Sequence, residues 1–326
     1  MRVQIVATSI AVPARVETAA DLALRVRRSE AWILSRTGVA RRHVADPALP
    51  EDKLQELAAR AVRGVVGDGP PDLLVNASLS PVQLIPDTAP FIQDALGWSQ
   101  TGMAAYSIHG TCLSFLIALH NVSALLAAGA YRQAIIVSAE IGSVCRDFDE
   151  PESCVLIGDG AGAVRLQATP DGESSELLAY EMGTWPEGRF DAEIRGCGVG
   201  QHPLDPTTQR TDYLFHMKGP TIYRRAYRKV EDMLDRLFLK AGLTRDDVDL
   251  VVPHQASGPA LGSIVRLGLP AEKTINIIAE YGNCIAASLP MALAVANAEG
   301  RLRRGDVVLL MGTGAGLSVA GALIRW

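Results

Sequence analysis

Apolar positions along the chain fall into two kinds of run. Short continuous ones, Leu73–Val75, Ala134–Val137, Leu250–Val252 and Val307–Leu310, have the length and β-branched content of strands covered on both faces. The opening stretch MRVQIVATSIAVP predicts a further strand beginning almost at the first residue. Two longer segments, Leu113 to Ala128 and Ile285 to Ala298, are apolar or small nearly all round. That pattern predicts helices buried between layers. The small residues Ala118, Ala124, Ala127, Ala292, Ala294 and Ala296 let two such helices cross closely. Between Trp185 and Gly219, seven glycines and prolines from Pro186 to Pro206 break any periodicity, predicting a long surface excursion of the kind that serves as a lid.

These elements occur twice in the same order. Asp72–Ser78, then Gly110-Thr-Cys112, a small-residue helix and Ala134–Ser138 are matched by Asp249–His254, Gly282-Asn-Cys284, a second such helix and Asp306–Leu310. Each series closes on a glycine-rich stretch leading into an apolar strand, GDGAGAVRL from Gly158 and GTGAGLSVAGALI from Gly312. Four matches in one order indicate duplication. The expected division is into halves 1–170 and 171–326, meeting at the polar segment Thr169–Ser175, each a βαβ-rich unit of one layered α/β structure.

Composition narrows the class. With 48% hydrophobic and 21% charged residues in 326, the chain supports an extensive core and is neither a membrane bundle nor disordered. The net charge of -5 argues against nucleic acid as a partner. The basic group Arg224, Arg225, Arg228 and Lys229 is read as a solvated helix face or a local docking patch. No apolar run approaches a membrane span, and the first residues lack the layout of a secretory signal, so the expected location is cytoplasmic. Five cysteines without paired spacing predict reduced thiols and no metal site.

One of those thiols has a candidate role. Cys112 lies between a strand and a buried helix, where helix N-terminal amides favour a thiolate; a buried cysteine is equally an inert core residue. His254 follows the run Leu250–Pro253 and so sits at the carboxyl end of a buried strand, where ligands collect in layered α/β folds and where structural histidines also occur. Asn283 precedes the second buried helix and would serve as an ordinary N-cap. The duplication places all three on corresponding turns of two halves, converging on one point.

Trp32–Gly38, the Cys112 turn, GDGAG at 158–162, Val252-Pro-His-Gln-Ala256, Tyr281-Gly-Asn283 with AASLP at 286–290, and Gly314-Ala-Gly316 together resemble the ketoacyl-acyl carrier protein synthase III family over essentially the whole chain. The resemblance implies a thiolase-like fold, duplicated βαβαβ halves in an αβαβα stack. It implies a ketosynthase that loads an acyl group on Cys112 from a coenzyme A or carrier-protein thioester, with the amides of Cys112 and Gly316 as the oxyanion hole. His254 and Asn283 would stabilise the enolate of a malonyl or β-ketoacyl thioester for a Claisen-type condensation. It implies thioester contacts at Trp32, Arg36, Ser257 and Gly219, a homodimer in which Ile85 reaches the partner's pocket, and no cofactor.

Departures from the pattern point to a specialised, secondary-metabolism member. His109 stands where a small residue is usual, read here as a core histidine with a backbone partner or a substrate contact. The adenine-clamp arginine falls at Pro151, the pantetheine asparagine at Ser257 and the carrier-docking arginine at Pro259, so docking would be rebuilt around Arg224. An acyltransferase delivering the Cys112 acyl group to oxygen or nitrogen is the alternative activity.

Overall fold

The computed structural model describes residues 1–326. Its first sheet contains β1 (Val3–Ala11), β2 (Leu73–Asn76), β3 (Ala104–Ser107), β4 (Gln133–Glu140) and β5 (Gly160–Ala168), in the spatial order β1-β5-β4-β2-β3. The second contains β6 (Glu176–Thr184), β7 (Leu250–Pro253), β8 (Val307–Gly314) and β9 (Ser318–Arg325), in the order β7-β8-β9-β6.

The two sheets have one topology. In the first, β2 runs parallel to β4, β4 antiparallel to β5 and β5 antiparallel to β1. In the second, β7, β8, β9 and β6 repeat those relations. Strand β3 extends the first sheet beside β2, whereas the second sheet has only a parallel bridge from Val251 to Thr274 at that place.

The continuous apolar runs are strands buried on both faces. Ile136 of β4 faces the central core while Ile135 faces the outer one, and Val308 and Leu309 of β8 alternate likewise. Helices α2 (Ser114–Ala127) and α4 (Ser288–Ala298) fill the space between the sheets. Helix α1 (Leu54–Arg63) covers the outer face of the first sheet and α3 (Gly219–Ala241) that of the second, completing an αβαβα stack. Phe115, Leu116, Leu119 and Val122 on α2 are all buried, each contributing about 2 kcal/mol by leaving water. Gly162 of the GDGAG stretch shows why that segment is small, since a β-carbon there would lie 2.7 Å from the Met291 amide nitrogen. Its absence lets α4 lie directly on β5.

The excursion from Trp185 to Gly219 is a chain of short 3-10 turns with one small pairing, Ala192–Glu193 against His216–Met217. Its ends are tied down. Trp185 donates to the Leu317 carbonyl at 2.8 Å and Phe215 to that of Cys145 at 2.8 Å.

Candidate active site

Cys112 sits in the middle of a 3-10 turn, Thr111–Leu113, through which the chain enters α2. Thr111 has φ 54°, a left-handed conformation costly for a β-branched residue and sustained only by its surroundings. Those surroundings are polar and specific. The Ser114 hydroxyl accepts from the Gly110 amide at 2.9 Å and donates to the Thr111 carbonyl at 2.7 Å.

Burial opposes the thiolate expected from its place before a helix. Burial pushes Cys112 up to about 11, outweighing the amides of Ala315 and Cys112 itself, which pull the other way. The Ala315 amide lies on the side of the sulfur. Gly316, expected to supply the second oxyanion donor, is the next residue and has φ 92°.

His254 immediately follows β7, its amide donating to the Met311 carbonyl at 2.8 Å. Gln255 locks this corner: its Nε2 donates to the Pro253 carbonyl at 2.9 Å and its Oε1 accepts from the Ile277 amide at 2.8 Å. Burial pushes the imidazole down to about 4, so it is neutral at pH 7. Nδ1 is buried without a partner. An unpaired N–H there would be costlier than an unpaired lone pair, which assigns the proton to Nε2 and makes that atom a donor.

Asn283 is held from both sides. Its amide donates to the Leu156 carbonyl at 2.8 Å and its carbonyl accepts from Gly158 at 3.1 Å. Its side-chain Oδ1 accepts from the Ile285 amide at 2.9 Å, and Nδ2 donates to the Ala256 carbonyl at 3.3 Å. One Nδ2 hydrogen is left over.

These links bring the three residues together. Leu113, next to Cys112, packs against Gly312 on the side where His254 also lies, and Asn283 is bonded to Ala256, two residues beyond His254.

The repeat relating them is out of register with the glycine-based match. The turn before α4 is Ile285–Ala287, and Ile285 has φ 48° as Thr111 has 54°. Ala286 is thus the counterpart of Cys112, and His109 that of Asn283. Cys284 is a core residue, 1% exposed, with its thiol raised well above the usual range by burial. His109 is exposed and makes no hydrogen bond, so it is not a core histidine.

Glu140 is a buried acid that the apolar run it terminates had concealed. Fully buried at the end of β4, its carboxylate accepts from the Leu79 amide at 2.6 Å, the Ser80 amide at 2.9 Å and the Ser80 hydroxyl at 2.6 Å. A lone acid ending AIIVSA was the available signal.

The expected thioester contacts lie at the surface. Half-buried Trp32, under the Arg28 guanidinium, and exposed Arg36 share the helix Glu30–Thr37. Gly38 after that helix touches Gly258, where a β-carbon would come within 3.1 Å, so the helix abuts the one that Ser257 caps. Phe148 packs on the same cluster as Trp32, and its segment carries Asp147, Asp149, Glu150 and Glu152 around Pro151. Gly219 opens α3. The basic group on that helix is divided, because Arg225 pairs with Asp191 and Lys229 with Glu187 across the excursion, leaving Arg224 and Arg228 outward. Ile85 is 85% exposed.

The chain is similar to known proteins over essentially its whole length. Family models for 3-oxoacyl-[acyl-carrier-protein] synthase III match residues 106–186, and its C-terminal part residues 238–326. The chain is 35% identical over 328 residues to the beta-ketoacyl-[acyl-carrier-protein] synthase III of Rhizorhabdus wittichii, covering 100% of this chain and 99% of the relative. It is 34% identical to that of Rhizobium meliloti, covering 97% of each. The crystal structure of 3-oxoacyl-[acyl-carrier-protein] synthase III from Aquifex aeolicus superposes with a TM-score of 0.87 at 30% identity, over 99% of this chain and 100% of that one.

Proposed function

The chain belongs to the 3-oxoacyl-[acyl-carrier-protein] synthase III family of condensing enzymes, and we propose that both of its half-reactions run where Cys112, His254 and Asn283 meet. In the first, the Cys112 sulfur attacks an acyl thioester, the new carbon–sulfur bond replaces the old one, and the thiol proton leaves with the departing thiol. The amides of Cys112 and Ala315 hold the oxyanion of the tetrahedral intermediate.

In the second, a malonyl thioester loses carbon dioxide. The enolate oxygen accepts hydrogen bonds from His254 Nε2 and the spare Asn283 Nδ2 hydrogen, and the carbanion attacks the acyl carbonyl, expelling the Cys112 thiolate, which then takes up a proton. Neutral donors suffice because decarboxylation itself generates the carbanion, and the scheme needs no cofactor. What supports the reading is the hydrogen bond from Asn283 Nδ2 to the carbonyl of Ala256, two residues beyond a His254 kept neutral by burial. Intact-protein mass spectrometry after exposure to acyl thioesters tests the reading. An acyl mass on the parent and none on Cys112→Ala is expected; an adduct persisting in that variant would remove Cys112 as nucleophile.

The donor is assigned as a carrier-protein thioester in preference to coenzyme A. Acidic residues surround Pro151 beside Trp32, whereas Arg224 and Arg228 present unpaired cations to an acidic carrier. A homodimer is supported by β3, an edge strand of half-exposed residues paired on one side only, and by the exposed Leu84 and Ile85. No helix is long and apolar enough to cross a membrane, and all five cysteines are free, which suits the cytoplasm.

A further inference from the structure

Asn283 belongs to neither sheet. Its backbone is held by one isolated parallel bridge to Ile157, in which Asn283 donates to the Leu156 carbonyl at 2.8 Å and Gly158 to the Asn283 carbonyl at 3.1 Å. This bridge joins the two repeats, and a third segment lies across it. Ala40 donates to the Ala279 carbonyl of the second repeat at 3.0 Å, and the His43 carbonyl accepts from Asp159 of the first at 2.9 Å. Between these bonds, on the short strand Arg41–His43, the Arg42 stem packs on a glycine at each side of the bridge: a β-carbon on Gly158 would lie 3.2 Å from Arg42 Cβ and one on Gly282 3.5 Å. Arg42 Nη1 donates to the carbonyl of Val155, the residue before Leu156.

We propose that Arg42 is a positioning residue for condensation, a brace across the bridge from which Asn283 projects; this rests on the assignment of Asn283 to the enolate. Three observations support it. Arg42 is the largest side chain fully enclosed in the molecule, so its contacts with the bridge are fixed by packing. It is also held at a cost to the fold. Nε and Nη2 are buried without a partner, and Arg42 forms no ion pair, since Glu17, opposite it in the strand pair, binds Arg25 and Arg146. Burial lowers the guanidinium only to about 10, so the enclosed charge persists at pH 7. An apolar side chain of that length would fill the space without unpaired donors, and what arginine adds is the bond to Val155. Finally, Gly282, beside both Arg42 and Asn283, has φ 67° and no room for a β-carbon, which would lie 2.6 Å from the Leu156 carbonyl oxygen. A shift of Val155 and Leu156 is therefore passed directly to Asn283.

The test is Arg42→Met, which keeps the stem on both glycines and removes the bond to Val155. Acyl loading of Cys112, carbon dioxide release at saturating malonyl thioester, melting temperature and hydrogen exchange are read in the parent, Arg42→Met, Asn283→Ala and the double variant. Arg42→Met is expected to load within about threefold of the parent, to release carbon dioxide about tenfold to a hundredfold more slowly and to melt no lower. The amides of Asn283 and Gly158 should exchange at least about tenfold faster, with that of Val308 in β8 unchanged. In the Asn283→Ala background the same substitution should slow release by less than about threefold, because the residue it acts through is gone. Unchanged release in Arg42→Met, loading and release that fall together with the melting temperature, or an equal loss with and without Asn283 would overturn the proposal. Should Arg42→Met not fold, Arg42→Gln, too short to reach Val155, decides: loading kept with release slowed supports it, and both intact overturn it. A parent that releases no carbon dioxide, or an Asn283→Ala variant that releases it at the parent's rate, refutes the enolate assignment instead; unchanged exchange at the Asn283 amide in Arg42→Met then overturns the brace as well.

Discussion

His254 and Leu113 both pack against Gly312 closely enough to leave no room for a methyl group: a β-carbon at 312 would lie 2.9 Å from His254 Cβ and 3.1 Å from Leu113 Cδ2. The imidazole and the turn bearing Cys112 thus pack on the same backbone position, and only glycine permits it. Gly312→Ala is expected to cost about 1–3 kcal/mol of stability through overpacking. Misplacing His254 should slow condensation by roughly ten- to a hundredfold. Denaturant melts and turnover measured together check this; a stable, fully active variant would show that the spacing is not needed.

The reactivity of Cys112 follows from its protonated resting state. With the thiol pushed up to about 11, alkylation by iodoacetamide should accelerate about tenfold per pH unit between about pH 7 and 9, since only the thiolate reacts. A rate that levels off below about pH 8 would indicate an activated thiolate instead.

Acid should weaken the fold through His254. Its folded pKa of about 4 lies below the ordinary 6.5, so as pH falls through that window the unfolded chain takes up a proton that the folded one refuses, and stability drops by up to about 3 kcal/mol. Glu140 acts with the opposite sign. Burial raises it from 4.5 to about 7, so protonation over that range favours the folded state and flattens the parent's profile. The difference between His254→Asn and the parent isolates the histidine. Melting temperatures should shift in favour of the variant as pH falls from about 7 to 4, and a pH-independent difference would contradict the assignment.

The proposed homodimer predicts a sedimenting species of about twice 34.7 kDa at micromolar concentration, with a second copy covering the β3 edge. A monomer there would count against the dimer.

The layered fold was legible because burial on both faces of a strand leaves an uninterrupted apolar run, as in Ala134–Val137 and Val307–Leu310, and the two buried helices are apolar all round. Cys112, His254 and Asn283 were visible as chemistry-bearing types at the ends of those runs. Their register was not. Matching Gly110 to Gly282 aligned two residues that do different work, because the repeat is kept by the backbone of the turns, seen in the positive φ of Thr111 and Ile285, and not by residue type. The Ala315 amide beside the sulfur was missed for a related reason, since any residue can supply a backbone amide. Glu140 and His109 depended on burial. The acid is fully enclosed and the histidine is exposed, the reverse of what their neighbours in sequence suggested.

Carbon dioxide release from a malonyl thioester by acyl-loaded enzyme, compared among the parent, His254→Ala and Asn283→Ala, tests the central claim most directly. Both variants should still carry the acyl group on Cys112, because neither side chain belongs to the oxyanion hole of loading. Both should release carbon dioxide about a hundredfold to a thousandfold more slowly than the parent. Product formed by the parent without carbon dioxide, at a rate Asn283→Ala leaves unchanged, would contradict the decarboxylative mechanism and point to transfer of the acyl group to an oxygen or nitrogen nucleophile.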